Sequence, residues 1–313
     1  MGFVIVCDHS RYGRVQRSAH ERRSEQMAGW TGEAFAARLD GRDSVWTLQS
    51  QAEDLELTRL PGGSANRITY RVVPPVPGAE TYYSGPPSPP GLSVSEIQRW
   101  EASRRAGIQA RVIEASLATY RIAARWARPR GVLGVLMGHG APLIGYEGAR
   151  SYIVADFAPA GMARLTTPKL EDLWERSRAS RHLDLDELRP EQRLVHEMGA
   201  VFRSQRVRRV DLLSCAIGYL DLGQRFIDTL HAFWRIPVRA LIGISSYNAR
   251  GEWQVIGLAD YHRMSAPPLA PGQRHVVPPL GGLLMQGPVD SMRTDPPGYF
   301  PDLLFRTSRM RRP

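Results

Sequence analysis

Two residues that can take part in nucleophilic catalysis each follow an apolar run that ends near a glycine. The run "GVLGVLMGHG" delivers His139 and then Gly140, and "RVDLLSCAIG" delivers Cys215. A thiolate is a strong nucleophile, and a nearby imidazole can take the thiol proton and return it to a leaving amine. The backbone N–H groups of Gly140 and Cys215 can stabilise a developing oxyanion. The pattern predicts acyl transfer by a His/Cys dyad, without a metal or a cofactor.

The elements around these residues alternate between buried strands and helices. We predict strands in "FVIVCD", "VLGVLM", "VDLLS" and "VRALIGIS", and helices in "PKLEDLWERSRAS", "EQRLVHEMGAVFRSQ" and "DLGQRFIDTLHAFW". This order is typical of an α/β domain with a mainly parallel sheet. Functional residues collect at the carboxyl ends of such strands. If the two strands are neighbours, we expect His139 and Cys215 to share one crevice.

Proline-rich stretches divide the chain into three parts. Residues 1–91 are predicted to form an N-terminal strand and an accessory segment that ends in a Pro-rich linker. Residues 92–265 form the core, which opens with a long helix after the capping box of Ser93 and Glu96. Residues 266–313 are a Pro/Arg-rich C-terminal extension, which we expect to be held loosely.

Composition limits the partners and the compartment. The chain carries 41 Lys+Arg against 31 Asp+Glu, a net charge of +10, but the arginines form no stripe interleaved with aromatics, so we predict no nucleic-acid site. No apolar run is long enough to span a bilayer. Two cysteines are too few for a disulfide scaffold, and free thiols suit a reducing compartment. We expect a cytoplasmic protein, or one that a specialised secretion system delivers into a reducing compartment.

The motif order extends to a recognisable family pattern. An apolar strand, His-Gly, a spacer, a second apolar strand, two residues and Cys resemble the caspase-like cysteine peptidases of clan CD. Residues 131–257 are similar to the self-processing cysteine peptidase domain of large bacterial toxins and to a related adhesin-associated domain. The resemblance implies a caspase-like three-layer sandwich with a mainly parallel sheet flanked by helices. It also implies a cysteine endopeptidase that cleaves protein or peptide substrates, and in some members itself, through an acyl-enzyme.

The resemblance assigns roles to individual residues. His139 becomes the general base, Cys215 the nucleophile, and Gly140 with Cys215 the oxyanion donors. Ser245 and Ser246 fall where such folds build the wall of the pocket for the residue before the scissile bond. The dyad spacing, 215 − 139 = 76, is longer than usual for the clan, and "KLEDLWERSRASRHLDLDELRP" reads as an insertion. The first ninety or so residues have no counterpart.

The resemblance also names a candidate activator. Toxin-type members are switched on by inositol hexakisphosphate, and this chain has candidate ligands in Arg203, Arg206, Arg208, Arg209 and Arg274. We favour the simpler interpretation that "RSQRVRR" is a cationic helix end that complements the helix dipole. Activation by a partner protein also stays open. The alternative to catalysis is a caspase-fold binding or scaffold module that does not use the dyad.

Overall fold

A computed structural model of the chain describes part of the sequence. The described residues are 2–7, 45–51, 54–60, 67–70, 85, 87–128, 131–135, 140–143, 150–158, 162–180, 183–247, 253–256 and 305–309. Side chains are described from residue 85 onward, except in 244–247 and 253–256.

The elements alternate along the chain much as predicted. The first strands are β1 (Gly2–Cys7), β2 (Val45–Gln51), β3 (Asp54–Leu60) and β4 (Arg67–Tyr70), followed by α1 (Val94–Ala127). Next come β5 (Gly131–Val135), β6 (Gly140–Leu143), β7 (Tyr152–Asp156), β8 (Arg164–Thr166), α2 (Thr167–Ala179) and α3 (Pro190–Ser204). The remaining elements are β9 (Arg209–Leu212), α4 (Leu220–Trp234), β10 (Val238–Leu241), β11 (Ile244–Tyr247), β12 (Trp253–Ile256) and β13 (Phe305–Thr307).

A mixed sheet of eight strands, in the order β13-β10-β9-β5-β1-β2-β3-β4, forms the centre of the fold. The strands from β10 through β9, β5 and β1 to β2 are parallel, and the outer strands pair antiparallel. The predicted α/β class with a mainly parallel sheet is therefore confirmed. The strands that precede the two motifs, β5 and β9, are neighbours, as a shared crevice requires.

Register explains how the central strands are buried on both faces. Leu133, Val210 and Val238 lie side by side on β5, β9 and β10 and belong to the hydrophobic core that the helices share. The opposite face carries Asp211 and Arg239, which are both buried as well. Successive side chains of a strand point to opposite faces of the sheet, so one strand can bury residues on both faces. At β9 and β10 the sheet is thus covered on both faces.

The helices pack on one another through an aromatic cluster. Phe202 on α3 meets Tyr120 of α1 edge-on, with ring centroids 6.0 Å apart, and Trp234 of α4 at 5.4 Å. Trp234 also meets Phe157, just past β7, at 6.2 Å. Its indole N–H donates to the carbonyl of Val195 at 2.9 Å. This cluster joins α1, α3 and α4 into one layer, and a small sheet in the order β6-β7-β8 packs beside α2 and α4.

The predicted limits of the long helix are confirmed. α1 begins after Ser93, whose backbone N–H donates to the Glu96 carboxylate at 2.8 Å, as a capping box requires. Hydrogen bonding to Ser93 lowers the pKa of Glu96 below its usual value. The helix ends at Ala127, two residues before Pro129. No helix in the described part of the chain is long and apolar enough to cross a membrane.

The two chain ends contribute to the central sheet. Strands β1 to β4 of the predicted N-terminal segment continue the sheet of the core, and β1 lies between β2 and β5. The expectation that the C-terminal extension is held loosely is wrong for residues 305–309. There β13 pairs antiparallel with β10, because Phe305 is apolar and fills a buried position at the sheet edge.

Candidate functional site

Residues 213–219, which we call the Cys215 turn, lie at the carboxyl edge of the central sheet. The N–H of Leu213 donates to the carbonyl of Val135 at the end of β5, at 2.8 Å. The N–H groups of Ala216 and Gly218 donate to the carbonyls of Gly243 and Leu241, both at 2.7 Å. The turn is therefore anchored to the strands on both sides of β9.

Small residues let the turn adopt this path. Ala216 has φ +51° and lies in the left-handed region, where a larger or branched side chain would add strain. Gly218 passes so close to β10 that an added Cβ would lie 2.5 Å from the carbonyl oxygen of Ala240. Gly223, in the first turn of α4, lies against the backbone of Gly218. The glycines of "SCAIGYLDLG" thus permit close backbone packing around the thiol.

Gly140 is the residue that joins the two sequence motifs. It opens β6, opposite Ala155 of β7. A Cβ on Gly140 would lie well inside van der Waals distance of the carbonyl oxygen of Cys215 and 2.5 Å from Cγ1 of Ile217. The backbone at Gly140 therefore packs directly on the Cys215 turn. His139 lies outside the described residues.

Cys215 is partly exposed and is not in a disulfide bond. It lies three residues after Leu212, the last residue of β9, which agrees with the predicted position just past a strand end. Tyr219, which closes the turn and caps α4, is buried, and this burial raises the pKa of its phenol. Cys215 thus belongs to a turn that backbone hydrogen bonds anchor on both sides, and the residue is partly exposed.

Ser245 and Ser246 lie in β11, which follows β10 along the chain. They pair with Val255 and Gln254 of β12, and their side chains are outside the described part of the structure. Strand β11 begins one residue after Gly243, whose carbonyl accepts from Ala216. The predicted single strand "VRALIGIS" is two strands, because the chain breaks at Gly243 to bind the turn.

Two of the candidate polyanion ligands, Arg203 and Arg209, have internal partners. Arg203 donates to the carbonyl of Trp234 at 3.2 Å, and burial, with Arg235 nearby, lowers its pKa. Arg209 binds the carboxylate of Asp211 at 2.8 Å. The stem of Arg208 lies against Gly131, so that an added Cβ would be 3.2 Å from it. Arg206 is exposed in the turn after α3, and Arg274 lies outside the described residues.

A buried ion pair lies under the site and was not predicted from the sequence. Asp211 and Arg239 face each other across β9 and β10, with contacts of 3.1 and 2.8 Å. Arg239 also lies over the ring of Phe305, 4.6 Å from its centroid. The sequence does contain a signal for this ion pair, which is one charged residue within each of two apolar strands. A charged side chain that is buried in a sheet needs a partner of opposite charge.

Neither a metal site nor a comparison with known proteins adds to these assignments. Among the described side chains, no three His, Cys, Asp or Glu residues form a group that could hold a metal ion. No protein-family model, curated protein or solved structure matches the chain.

Proposed function

We propose that this chain is a cysteine endopeptidase of the caspase-like type, with Cys215 as the nucleophile and His139 as the general base. The observation that carries the proposal is the packing of Gly140 on the carbonyl of Cys215. One peptide bond joins His139 to Gly140, and consecutive Cα atoms lie about 3.8 Å apart. Gly140, the second residue of the His-Gly motif, thus supports the proposal by packing on the Cys215 turn, at a sheet edge where α/β enzymes place their sites.

The fold that we propose is the caspase-like three-layer sandwich. Buried residues on both faces of β9 and β10 support it, since a parallel sheet needs cover on each side. The layer of α1, α3 and α4 covers one face. The antiparallel β13 at the edge beyond β10 is compatible with the same architecture.

The proposed reaction has two steps. His139 takes the proton from the Cys215 thiol, and Sγ forms a bond to the carbonyl carbon of the scissile peptide. The carbon–nitrogen bond breaks, the amine leaves with the proton from His139, and an acyl-enzyme remains. Water then attacks the thioester, which releases the carboxylic acid product and restores the thiol. No redox partner or metal takes part.

The surrounding groups take supporting roles in this proposal. The N–H groups of Gly140 and Cys215 donate to the oxyanion, and Ser245 and Ser246 line the pocket for the residue before the scissile bond. The substrate is a protein or peptide, with the chain itself among the candidates. The compartment we propose is reducing, either the cytoplasm or one reached by specialised secretion, because the thiol must stay reduced.

Labelling by an electrophilic peptide probe and cleavage of a peptide library test the assignment. Cys7→Ala is the matched control, since Cys7 is the other of the two thiols. We expect the probe to label wild type and Cys7→Ala at residue 215 and to leave Cys215→Ala unlabelled. His139→Ala should cut the cleavage rate by about 10²–10⁴, the usual contribution of a general base.

Two results would count against the peptidase. Labelling of Cys215→Ala at the wild-type rate would remove residue 215 from the reaction. Folded wild-type protein that neither reacts with the probe nor cleaves any peptide or protein would favour the non-catalytic binding or scaffold module. If cleavage is seen instead, mapping of new protein N-termini after addition of active protein would identify the substrate class.

A further inference from the structure

We propose that residues 305–309, which we call the C-terminal strap, hold β10 and α4 together and thereby control the position of the Cys215 turn. Ser308 and His231 are the positioning residues of this device. The inference concerns the regulation of the site described above, and it rests on the proposed function only for its effect on catalysis. Its structural part can be tested without any peptidase activity.

The strap is fastened to β10 along its length. The N–H of Ser308 donates to the carbonyl of Val238 at 2.8 Å, and the N–H of Val238 donates to Oγ of Ser308 at 2.9 Å. Three residues further along β10, Leu241 pairs with Phe305. The side chain of Phe305 is buried. Without the strap, β10 would become the open edge of the central sheet.

Strand β10 also holds the Cys215 turn in place. Leu241 pairs with Phe305 on one side, and its carbonyl accepts the N–H of Gly218 at 2.7 Å on the other. Two residues later, the carbonyl of Gly243 accepts the N–H of Ala216, next to Cys215. The strap is therefore connected, through the carbonyls of Leu241 and Gly243, to the N–H groups of Gly218 and Ala216, which follow Cys215 in the turn.

The strap also reaches α4, the helix that begins directly after the Cys215 turn. Oγ of Ser308 lies 3.0 Å from Nδ1 of His231. The N–H of Arg309 donates to Asp228 at 2.6 Å, and the side-chain amide of Gln224 donates to the carbonyl of Thr307 at 3.1 Å. Ser308 thus bridges the helix and the strand that together support the turn.

Hydrogen-bond accounting assigns the protonation state of this bridge. Oγ of Ser308 accepts the N–H of Val238, and in this proposal it donates its own proton to Nδ1 of His231. Nδ1 accepts only when the imidazole is neutral and carries its proton on Nε2. Protonation of His231 places a proton on Nδ1, which reverses the direction of this hydrogen bond and forces the Ser308 hydroxyl proton to turn away.

Charges around His231 modulate this equilibrium. Asp228 on α4 is the charged group that acts on His231, and Asp228 also acts on Arg306 of the strap, as do Asp221 and Arg309. Arg235 donates its backbone N–H to the carbonyl of His231. Burial lowers the pKa of His231, and Asp228 opposes this effect. A lowered pKa in the folded state means that the unfolded chain binds more protons as pH falls below about 6.5. The contribution of neutral His231 to stability is therefore complete above about pH 6.5 and is lost as pH falls through the lowered pKa of the folded state.

Hydrogen–deuterium exchange of the full-length protein measures the coupling directly. We expect Ser308→Ala to speed exchange at Ala216 and Gly218 by about tenfold, as loss of a buried hydrogen bond allows. Ser308→Thr keeps the hydroxyl and should restore wild-type exchange. Trp234→Phe is the matched control, because it removes a buried hydrogen bond to Val195 without touching the strap.

Comparison of the two variants separates coupling from general loss of stability. At an equal decrease in unfolding free energy, only Ser308→Ala should open the turn beyond what that decrease explains. Faster exchange at Ser308 with unchanged exchange at Ala216 and Gly218 would overturn the proposal. So would Ser308→Thr behaving like Ser308→Ala in a folded protein.

The pH profile tests the role of His231. Oδ1 of asparagine can take the place of Nδ1, so His231→Asn should keep the turn protected and remove its loss of protection below about pH 6.5, after correction for intrinsic exchange. A profile identical to wild type would contradict the assignment. If exchange behaves as expected but no peptidase activity exists, the strap stands and the proposed function fails. If peptidase activity exists and Ser308→Ala leaves kcat/KM and exchange unchanged, the strap fails alone.

Discussion

At the residue scale, the missing side chain of Gly140 sets the distance between two motifs that are far apart in the sequence. The backbone of β6 approaches the carbonyl of Cys215 until no Cβ fits between them. A glycine after a candidate catalytic histidine would ordinarily be explained by backbone freedom. Here its second role is close packing, and any side chain at this position must push the Cys215 turn away.

Gly140→Ala should therefore distort the site. We expect a loss of about 1–3 kcal/mol in unfolding free energy, typical of an overpacked position, together with slower labelling of Cys215 by the peptide probe. Gly107→Ala is the matched control, since its Cβ would come no closer than 3.8 Å to Arg111. In the middle of α1 that change should stabilise the protein by about 0.5–1 kcal/mol. Urea unfolding measures both, and wild-type stability and labelling in Gly140→Ala would contradict the packing argument.

At the element scale, β9 and β10 are joined by charge as well as by their backbone. Asp211 is 0% exposed and accepts from Arg239, which is 4% exposed, and from Arg209. A carboxylate between two guanidinium groups accepts hydrogen bonds from both and offsets the cost of burying the charge of Arg239. The pair also fixes the register of the two strands whose carboxyl ends carry the Cys215 turn.

Asp211→Asn should be strongly destabilising. It leaves the buried Arg239 without a charged partner, and removal of one member of a buried pair costs about 3–5 kcal/mol. Glu187→Gln is the control, because its partner Arg176 lies at the surface and exposed pairs contribute about 0–1 kcal/mol. Chemical denaturation of the three proteins gives the comparison. Equal unfolding free energies for Asp211→Asn and Glu187→Gln would contradict a stabilising role for the buried pair of Asp211 and Arg239.

At the scale of the whole molecule, the excess of arginine is partly balanced inside the structure. Arg203 caps the carbonyl of Trp234, Arg209 and Arg239 share Asp211, and Arg225 binds Glu171. The net charge of +10 therefore does not imply a ready-made polyanion site. Of the four arginines between residues 203 and 209, Arg203 and Arg209 have different internal partners, whereas Arg206 and Arg208 are exposed.

We expect inositol hexakisphosphate to leave the melting temperature unchanged once about 0.15 M salt screens the exposed charges. A specific site filled at about a hundred times its Kd would add about 2.7 kcal/mol and raise the Tm by several degrees. Thermal melting at rising ligand and salt concentrations measures this. A salt-resistant rise that disappears in the double variant Arg206→Gln, Arg208→Gln would instead establish a polyanion activator.

Most of the elements could be predicted from the sequence, and the reasons are local. The capping box at Ser93, the apolar stripe of α4 and the continuous apolar run of β5 each carry their signal within a few residues. Strands β3, β6 and β8 were not predicted, although Leu55 and Leu57 of β3 alternate with polar residues as in a half-buried strand. The segment "VRALIGIS" was not divided at Gly243, because its apolar run continues through the break. The role of residues 305–309 in the central sheet was also not predicted, since a three-residue strand is defined by the strand it pairs with rather than by its composition.

The sequence by itself determined which residues could do chemistry and that strands deliver them, because residue type and hydrophobic period are properties of short segments. It placed Cys215 after a buried strand, and the structure agrees. Only the tertiary structure decided that β5 and β9 are neighbours, that Gly140 packs on Cys215, and that β10 is held between β9 and the strap. These are contacts between segments tens of residues apart, and they depend on register and on which backbone carbonyls are left at each strand end. No local pattern contains that information.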